Sequence, residues 1–328
     1  MNHTDRLQAI LEGHRPDRPP VSMWRHFYSE ETEPVRFAEA MIGWQRRFDW
    51  DFLKINPKAS YHYEPWGVGM TFSPDGSIKP KRTEFPITRP EDWLRIQQLP
   101  VTHPEFDAQL RAISLIRKAL PKPFRVVMTV FNPISIAGDM VESEKTLLDH
   151  LHREPETVES ALAAIQRTFI DLVTEFRNAG ADGIFFATTQ WASADTLTIP
   201  ELKRFALPYD KPLWDAAGPD AFNILHICGS NNYLREYRDF RPAIVNWDTS
   251  DPTNPTLADG YAAMVMPVMG GLGHETDMVK DTAAILADKV RRLIDSHNRL
   301  PLAVGAGCAV PVTVPDLNYR AVREAVGR

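Results

Sequence analysis

The sequence predicts an α/β fold, a single (β/α)8 TIM-type barrel, and three observations support this prediction. Short apolar runs recur along the chain, and each is followed by a longer stretch with the periodicity of a helix. Several of these runs are almost continuously apolar, as parallel strands buried on both faces are. The length of 328 residues also suits one barrel domain spanning residues 1–328, since such barrels have about 200 to over 400 residues. A two-domain α/β protein is the alternative.

The predicted strands are short apolar segments bounded by polar, Gly or Pro residues. In chain order, the eight strands are Pro20–Trp24, Phe52–Ile55, Arg125–Val130, Gly183–Ala187, Ala221–Ile227, Ala243–Trp247, Met264–Met269 and Leu302–Val304. The clearest helices are predicted over Pro155–Ala179 and Asp281–His297, where apolar residues repeat on one face. Residues 56–105 do not fit this alternation. They are rich in aromatic and turn residues, and they predict a long loop excursion after the second strand, over one end of the barrel.

Composition and charge narrow the classes of function. Hydrophobic residues make up 43% and charged residues 24% of the chain, close to the values of about 45–50% and 25% in soluble globular proteins. The net charge of −6 argues against the basic surface of a nucleic-acid-binding protein. Neither an apolar run of about 18 residues nor a signal-peptide core is found. We therefore expect a cytoplasmic protein with neither a nucleic-acid nor a membrane partner.

Three residues with metal-binding side chains follow the ends of two predicted strands. His226 and Cys228 are two positions apart in an extended segment, so their side chains point to the same side. Cys308 follows the last strand, after Gly305 and Gly307. One imidazole and two thiolates leave a fourth position open, which is the pattern of a catalytic zinc site. The alternatives are two buried cysteines beside a hydrogen-bonded histidine, or a catalytic cysteine with His226 as its base.

Other polar residues also follow strand ends, where the active sites of barrels lie. Arg25 and Lys54 are placed to bind the anionic end of a substrate, although ion pairs with acidic residues would explain them equally well. Asp248 and His274 are placed to orient the metal ligands or to bind substrate. The remaining predicted substrate-binding residues are Asn56, Gln190 and Trp191. The aromatic residues of the excursion are placed either to line the pocket or to pack the loop.

Two blocks of sequence resemble a known family. The segments NILHICGSNNYL and PLAVGAGCAVPVTVPDLNYRAV resemble the zinc-binding H-x-C…C pattern of methylcobamide:coenzyme M methyltransferases, members of the uroporphyrinogen decarboxylase superfamily. The segments RLQAILEGHRPDRPPVSMW and GADGIFFA resemble the same superfamily, so the likeness covers essentially the whole chain. The resemblance implies a (β/α)8 barrel in which His226, Cys228 and Cys308 bind Zn2+. It also implies transfer of a methyl group from a methylcobamide, free or on a corrinoid protein, to a small thiol.

The chain departs from the decarboxylases of that superfamily at two positions. Those enzymes carry several arginines after the first strand, whereas MWRHFYSEE contains Arg25 alone. They also carry an aspartate after the second strand, whereas KINPKAS has no carboxylate. We therefore do not expect decarboxylation of a porphyrinogen. Two alternatives to the methyltransferase remain open, a decarboxylase-like lyase without zinc and a non-catalytic subunit of a corrinoid methyltransferase system.

Overall fold

The computed structural model describes residues 1–327. The centre of the protein is a curled sheet of seven parallel strands. The strands are β1 (Phe52–Ile55), β2 (Gly69–Thr71), β3 (Lys81–Glu84), β4 (Arg125–Phe131), β5 (Gly183–Ala187), β6 (Ile224–Ile227), β7 (Ile244–Trp247), β8 (Val268–Leu272) and β9 (Leu302–Ala306). The order in the parallel sheet is β1-β4-β5-β6-β7-β8-β9, and β2 and β3 form a separate antiparallel pair. The fold is α/β and is compatible with a TIM-type barrel.

Helices alternate with the parallel strands. They are α1 (His3–Leu11), α2 (Pro34–Phe48), α3 (Pro104–Ala119), α4 (Pro133–Asp139), α5 (Glu144–Arg153), α6 (Pro155–Asn178), α7 (Ile199–Phe205), α8 (Leu207–Asp215), α9 (Leu257–Met264), α10 (Asp277–Lys280), α11 (Ala283–Ser296) and α12 (Asp316–Ala325). The predicted apolar face of α6 is buried over its whole length. Within residues 1–327, none of the helices combines the length and the apolar character needed to cross a bilayer.

The first predicted strand, Pro20–Trp24, forms only an isolated parallel bridge at Val21. The amide of Val304 in β9 donates to the carbonyl of Pro20, and Ser22 donates back to Val304. On its other side the segment accepts a hydrogen bond from the amide of Asp51, immediately before β1. Backbone hydrogen bonds therefore connect this segment to both edges of the seven-stranded sheet. The prolines at its start have no amide proton to donate, which limits the ladder they can form.

Alternate residues of the buried strands point to opposite faces of the sheet. In β5, Phe185 belongs to the inner apolar cluster together with Ile224 of β6. Ile184 and Phe186 instead belong to the outer core, which the helices cover. His226 follows Ile224 by two residues, and its ring stacks on Phe185 with 5.2 Å between ring centroids. The alternation therefore places the imidazole on the inner face of the sheet.

The predicted boundaries of one strand were wrong. The seventh predicted strand, Met264–Met269, overlaps the end of α9, and the observed strand β8 begins only at Val268. The helix ends at Met264 because the next residue, Val265, adopts a left-handed conformation with φ of 57°. The strand then continues through Gly270 and Gly271 to Leu272, beyond the predicted end at Met269. Smaller differences affect other elements, since β6, β7 and α11 each start one to three residues later than predicted.

Residues 56–103, between β1 and α3, contain the β2–β3 hairpin and two 3-10 helices. Near the tip of the hairpin, a Cβ atom on Gly76 would lie 2.6 Å from the hydroxyl of Ser29, so the tip packs against the loop after Trp24. On the other side, Arg82 in β3 donates to three carbonyls at the end of α4, including that of Asp139. The hairpin therefore spans the two loops that follow residues 20–24 and β4.

Candidate metal centre

His226, Cys228 and Cys308 lie together at the carboxyl ends of β6 and β9. His226 is in β6, Cys228 immediately follows that strand, and Cys308 lies two residues beyond β9. One ligand atom from each residue lies within 4.8 Å of the others. The two Sγ atoms are 3.7 Å apart, and both cysteines are free thiols. The parallel sheet thus joins residues that are 80 positions apart in the sequence.

The separation of the two sulfur atoms fits a shared metal ion. Zinc–sulfur bonds of about 2.3 Å with a tetrahedral angle between them place two sulfurs about 3.8 Å apart. A disulfide would require a separation of about 2.05 Å. Two soft sulfur donors and an imidazole also select zinc over hard cations such as Mg2+. The donor set therefore fits Zn2+ with three protein ligands.

Asn246 in β7 fixes the orientation of the His226 ring. Its side-chain amide group donates to the carbonyls of Met269 and Ala306, at 3.0 and 3.1 Å. These two bonds direct the Asn246 Oδ1 atom toward His226 Nδ1, 2.6 Å away. Because Oδ1 is an acceptor, Nδ1 carries the hydrogen and Nε2 keeps its lone pair for a metal. We did not predict Asn246, although a polar residue within the buried run Ile-Val-Asn-Trp is a signal that was available.

This arrangement shifts the pKa values of the two thiols in opposite directions. The hydrogen bond from Cys228 lowers the pKa of Cys308 well below its usual value, and the nearby rings of His226 and His274 act in the same direction. The same hydrogen bond, together with burial, raises the pKa of Cys228 well above its usual value. The arrangement therefore favours the thiolate form of Cys308, and thiolates are the form of cysteine that binds metals.

Asp248 and His274 form a pair beside Cys308. Their Oδ2 and Nδ1 atoms are 3.3 Å apart. Burial opposes a charge on the ring, but Asp248 and the Cys308 thiolate prevail and raise the pKa of His274. A Cβ atom on Gly307 would lie 2.5 Å from the carboxyl carbon of Asp248, so only glycine permits this close approach. The structure thus brings both predicted residues next to the cysteine ligand.

The side chain of Lys54 lies on the inner face of the curled sheet, near Cys308, and Asn56 is its hydrogen-bond partner. The Lys54 ammonium donates to the side-chain oxygen of Asn56 and lies 4.6 Å from the ring centre of Phe185 and 5.3 Å from that of Trp24. Burial lowers the pKa of Lys54 to about 7, and the negative charge of Cys308 acts in the opposite direction. Lys54 is therefore close enough to the metal centre for the two charges to interact. It makes no ion pair with a carboxylate within residues 1–327.

The other predicted substrate-binding residues lie in different surroundings. Arg25 donates to the carbonyl of Val312, and its guanidinium packs on Phe27 and Trp44 at 5.0 and 5.3 Å. A role for Arg25 with a substrate stays a prediction. Gln190 is exposed and lies in the 3-10 helix Thr189–Ala192. The loop after this helix forms an isolated β-bridge with the loop after Cys228.

Trp191 and three aromatic residues of the excursion are packing residues. The side chain of Trp191 is 1% exposed and belongs to the outer core, which is typical of a packing residue, and its contact with a substrate stays a prediction. It is buried there because the 3-10 helix turns it inward. Tyr61 donates to the carbonyl of Thr129, Trp66 donates to that of Gln97, and Tyr63 is also buried in the outer core.

Comparisons with known proteins agree with this fold. The sequence profile of the uroporphyrinogen decarboxylase (URO-D) family matches residues 2–328. A methyltransferase from Methanosarcina mazei is similar in structure, with a TM-score of 0.85 and 17% identity over 99% of this chain and 98% of that one. A B12-independent methionine synthase from Shewanella sp. W3-18-1 has a TM-score of 0.58 and 12% identity over 94% of both chains. No curated protein sequence matches the chain.

Proposed function

Because the chain belongs to the uroporphyrinogen decarboxylase family, we propose that it is a zinc-dependent methyltransferase of that family. The reaction moves a methyl group from a methylated corrinoid, free or bound to a corrinoid protein, to the sulfur of a small thiol. His226, Cys228 and Cys308 hold the metal. The observation that carries the proposal is the sulfur–sulfur distance of 3.7 Å beside an oriented imidazole.

Zinc bound by these three residues would supply an open position in which a substrate thiol is held as a thiolate. The residues of the chain prepare that position. Asn246 keeps the hydrogen on Nδ1 of His226 and so leaves Nε2 free to bind. The Asp248–His274 pair lies beside Cys308 and raises the pKa of the His274 ring, whose protonated form would offset the negative charge of the thiolates. This charge balance favours binding of one more anionic sulfur.

The proposal places this chemistry on a single closed (β/α)8 barrel that spans residues 1–328. In this barrel, the segment Pro20–Trp24 takes the eighth position, between β9 and β1. The β2–β3 hairpin belongs to the excursion after β1 and covers part of the carboxyl end of the sheet. Lys54 and Asn56 bind the anionic end of the acceptor thiol, since both are buried donors near Cys308.

Metal analysis together with a methyl-transfer assay tests the proposal. Purified protein should contain about one zinc per chain, and Cys308→Ala should lose most of it. Methylcobalamin incubated with the protein and a thiol should lose its methyl–cobalt absorbance, and Cys308→Ala should abolish this change. A suitable control is Ser296→Ala, because this side chain bonds only to its own end of α11.

The two alternative functions give different results in the same experiments. A lyase without zinc would be metal-free, would keep its activity in Cys308→Ala and would convert uroporphyrinogen to coproporphyrinogen. A non-catalytic subunit would bind a corrinoid protein but would not methylate any thiol. We expect zinc, thiol methylation and no conversion of uroporphyrinogen.

A further inference from the structure

Lys54 and Asn56 present unused hydrogen-bond donors near the metal centre. The two residues are only 4% and 3% exposed. Lys54 donates to the oxygen of Asn56, which turns the Asn56 NH2 group away from the ammonium. That NH2 group has no hydrogen-bond partner within residues 1–327. A buried donor without a partner is destabilising, so this pair is suited to bind an anionic group such as a carboxylate.

Glu31 and His62 present unused acceptors at the same end of the sheet, and each is only 2% exposed. One carboxylate oxygen of Glu31 accepts from the amide of Ala59, and the other has no hydrogen-bond partner within residues 1–327. His62 Nε2 lies 3.2 Å from Asp139. Because the carboxylate only accepts, Nε2 carries the hydrogen and Nδ1 is left as an acceptor. Nδ1 also lacks a partner in that part of the chain.

The donors and acceptors belong to one continuous group of side chains. Ala59, which holds Glu31, follows Asn56 by three residues after β1. The second Glu31 oxygen lies 3.6 Å from His26 Nδ1. His26 is close enough to Lys54 on one side and to His62 on the other for their charges to interact. Polar groups thus extend from Cys308 past Lys54 and Asn56 to Glu31 and His62.

The chemistry of this group selects one class of thiol. A thiol whose far end carries only a sulfonate or a carboxylate would satisfy Lys54 and Asn56. It would leave the second Glu31 oxygen with only the long 3.6 Å contact to His26 Nδ1 and would leave His62 Nδ1 without a donor within residues 1–327. It would also bring a second negative charge toward Glu31. An ammonium group beside the carboxylate supplies the missing donors. Buried polar groups left without partners are the main source of such discrimination.

We infer that the acceptor is a small amino-acid thiol, whose carboxylate binds Lys54 and Asn56 and whose ammonium binds Glu31 and His62. This inference rests on the proposed function, because it assumes that the sulfur of the same molecule binds at the metal. Glu31, His26 and His62 were not among the residues predicted from the sequence. They reach the site from the loop after residues 20–24 and from the excursion after β1.

Calorimetry on the zinc-loaded protein tests the inference with a matched series of thiols. Homocysteine carries both groups, 4-mercaptobutanoate lacks the ammonium, 3-mercaptopropylamine lacks the carboxylate, and 2-mercaptoethanesulfonate carries a sulfonate alone. Homocysteine should bind at least about tenfold more tightly than each of the others, since a charge-assisted hydrogen bond contributes about 10- to 150-fold.

Two variants assign the groups. Glu31→Gln keeps an acceptor for Ala59 and should weaken homocysteine about tenfold or more, while 4-mercaptobutanoate is not weakened. Lys54→Met should weaken 4-mercaptobutanoate but leave 3-mercaptopropylamine unchanged. Glu33→Gln removes the same charge as Glu31→Gln at an exposed position nearby and should change no affinity. Zinc content should be unchanged in all three variants.

X-ray absorption at the zinc edge distinguishes failure of the proposed function from failure of the inferred amino-acid class. If no thiol adds a third sulfur to the zinc, the proposed function itself is wrong. If a third sulfur appears but 2-mercaptoethanesulfonate or 4-mercaptobutanoate binds as tightly as homocysteine, only the amino-acid class is wrong. Equal weakening of all four thiols by Glu31→Gln would also show that the amino-acid class is wrong.

Discussion

The two ends of the parallel sheet carry buried polar clusters of opposite character. At the amino end, Asp51 is completely buried just before β1, and both of its oxygens are bonded. Arg18 binds it through two nitrogens, the amide of Val21 donates to it at 2.8 Å, and His3 and Arg6 also contact it. At the carboxyl end, several equally buried atoms have no partner within residues 1–327.

This difference distinguishes a cluster that stabilises the fold, around Asp51, from a candidate functional cluster, around Cys308. Around Asp51, both carboxylate oxygens have donors within the chain, although Arg18 Nε has no partner within residues 1–327. Around Cys308, two cysteine sulfurs and nearby donors and acceptors remain available. Barrels of this type place stability at the amino end and chemistry at the carboxyl end. Unpartnered donors and acceptors beside two free cysteines therefore mark the carboxyl end as the candidate functional end.

The largest effect is expected at the amino end. Asp51→Ala removes the carboxylate that the Arg18 guanidinium binds and leaves buried positive charge behind. The free energy of unfolding should fall by about 3–5 kcal/mol, measured by urea denaturation. The exposed Asp220→Ala is the control and should change it by less than about 0.5 kcal/mol. Zinc per folded chain should not change in either variant. Loss of zinc from folded Asp51→Ala would show that the two ends are not independent.

A smaller and more local effect is expected from Asn246 at the carboxyl end. Asn246→Ala removes the acceptor that holds His226 in its metal-binding tautomer. Zinc affinity should fall about 10- to 100-fold, as measured by competition with a chelator. The exposed Asn298→Ala should bind zinc like the unmodified protein. An unchanged affinity in Asn246→Ala would mean that the ring keeps its orientation without this contact.

The smallest effect concerns the pH dependence of stability. Burial opposes ionisation of Asp51, but hydrogen bonds from His3 and Arg18 prevail and lower its pKa below the usual value. Its contribution to stability is therefore complete above the unfolded pKa of about 3.9 and is lost as the pH falls below that value. The stability difference between the unmodified protein and Asp51→Asn should be constant from pH 7 to 5 and shrink below about pH 4. Urea denaturation at several pH values measures this, and a difference that grows on acidification would contradict it.

The sequence was sufficient to predict that His226, Cys228 and Cys308 lie together, because local rules determine their positions. Alternation along a strand joins His226 to Cys228, and the parallel arrangement brings the ends of β6 and β9 to one face. The strand order follows the chain from β4 to β9, as the alternation of strands and helices predicts. These features require only periodicity and connectivity.

Residues that depend on three-dimensional packing were harder to predict. Glu31 and His62 lie in irregular segments, where no periodicity indicates which side chains turn inward. Trp191 resembles a binding residue in sequence but is turned into the core by a single 3-10 turn. The start of β8 depends on Val265, whose left-handed conformation is unusual for a β-branched residue and is not indicated by propensity.

The side chain of Asn246 has a consequence for the order of assembly. From β7 it contacts His226 of β6, the carbonyl of Met269 in β8 and that of Ala306 in β9. A correctly oriented imidazole therefore exists only after four consecutive strands have paired. Cys308 comes from the last of these strands, so the pocket for the ion cannot form on a partly folded chain. Under the proposed function, metal uptake therefore requires β9 to be paired and is a late event in folding.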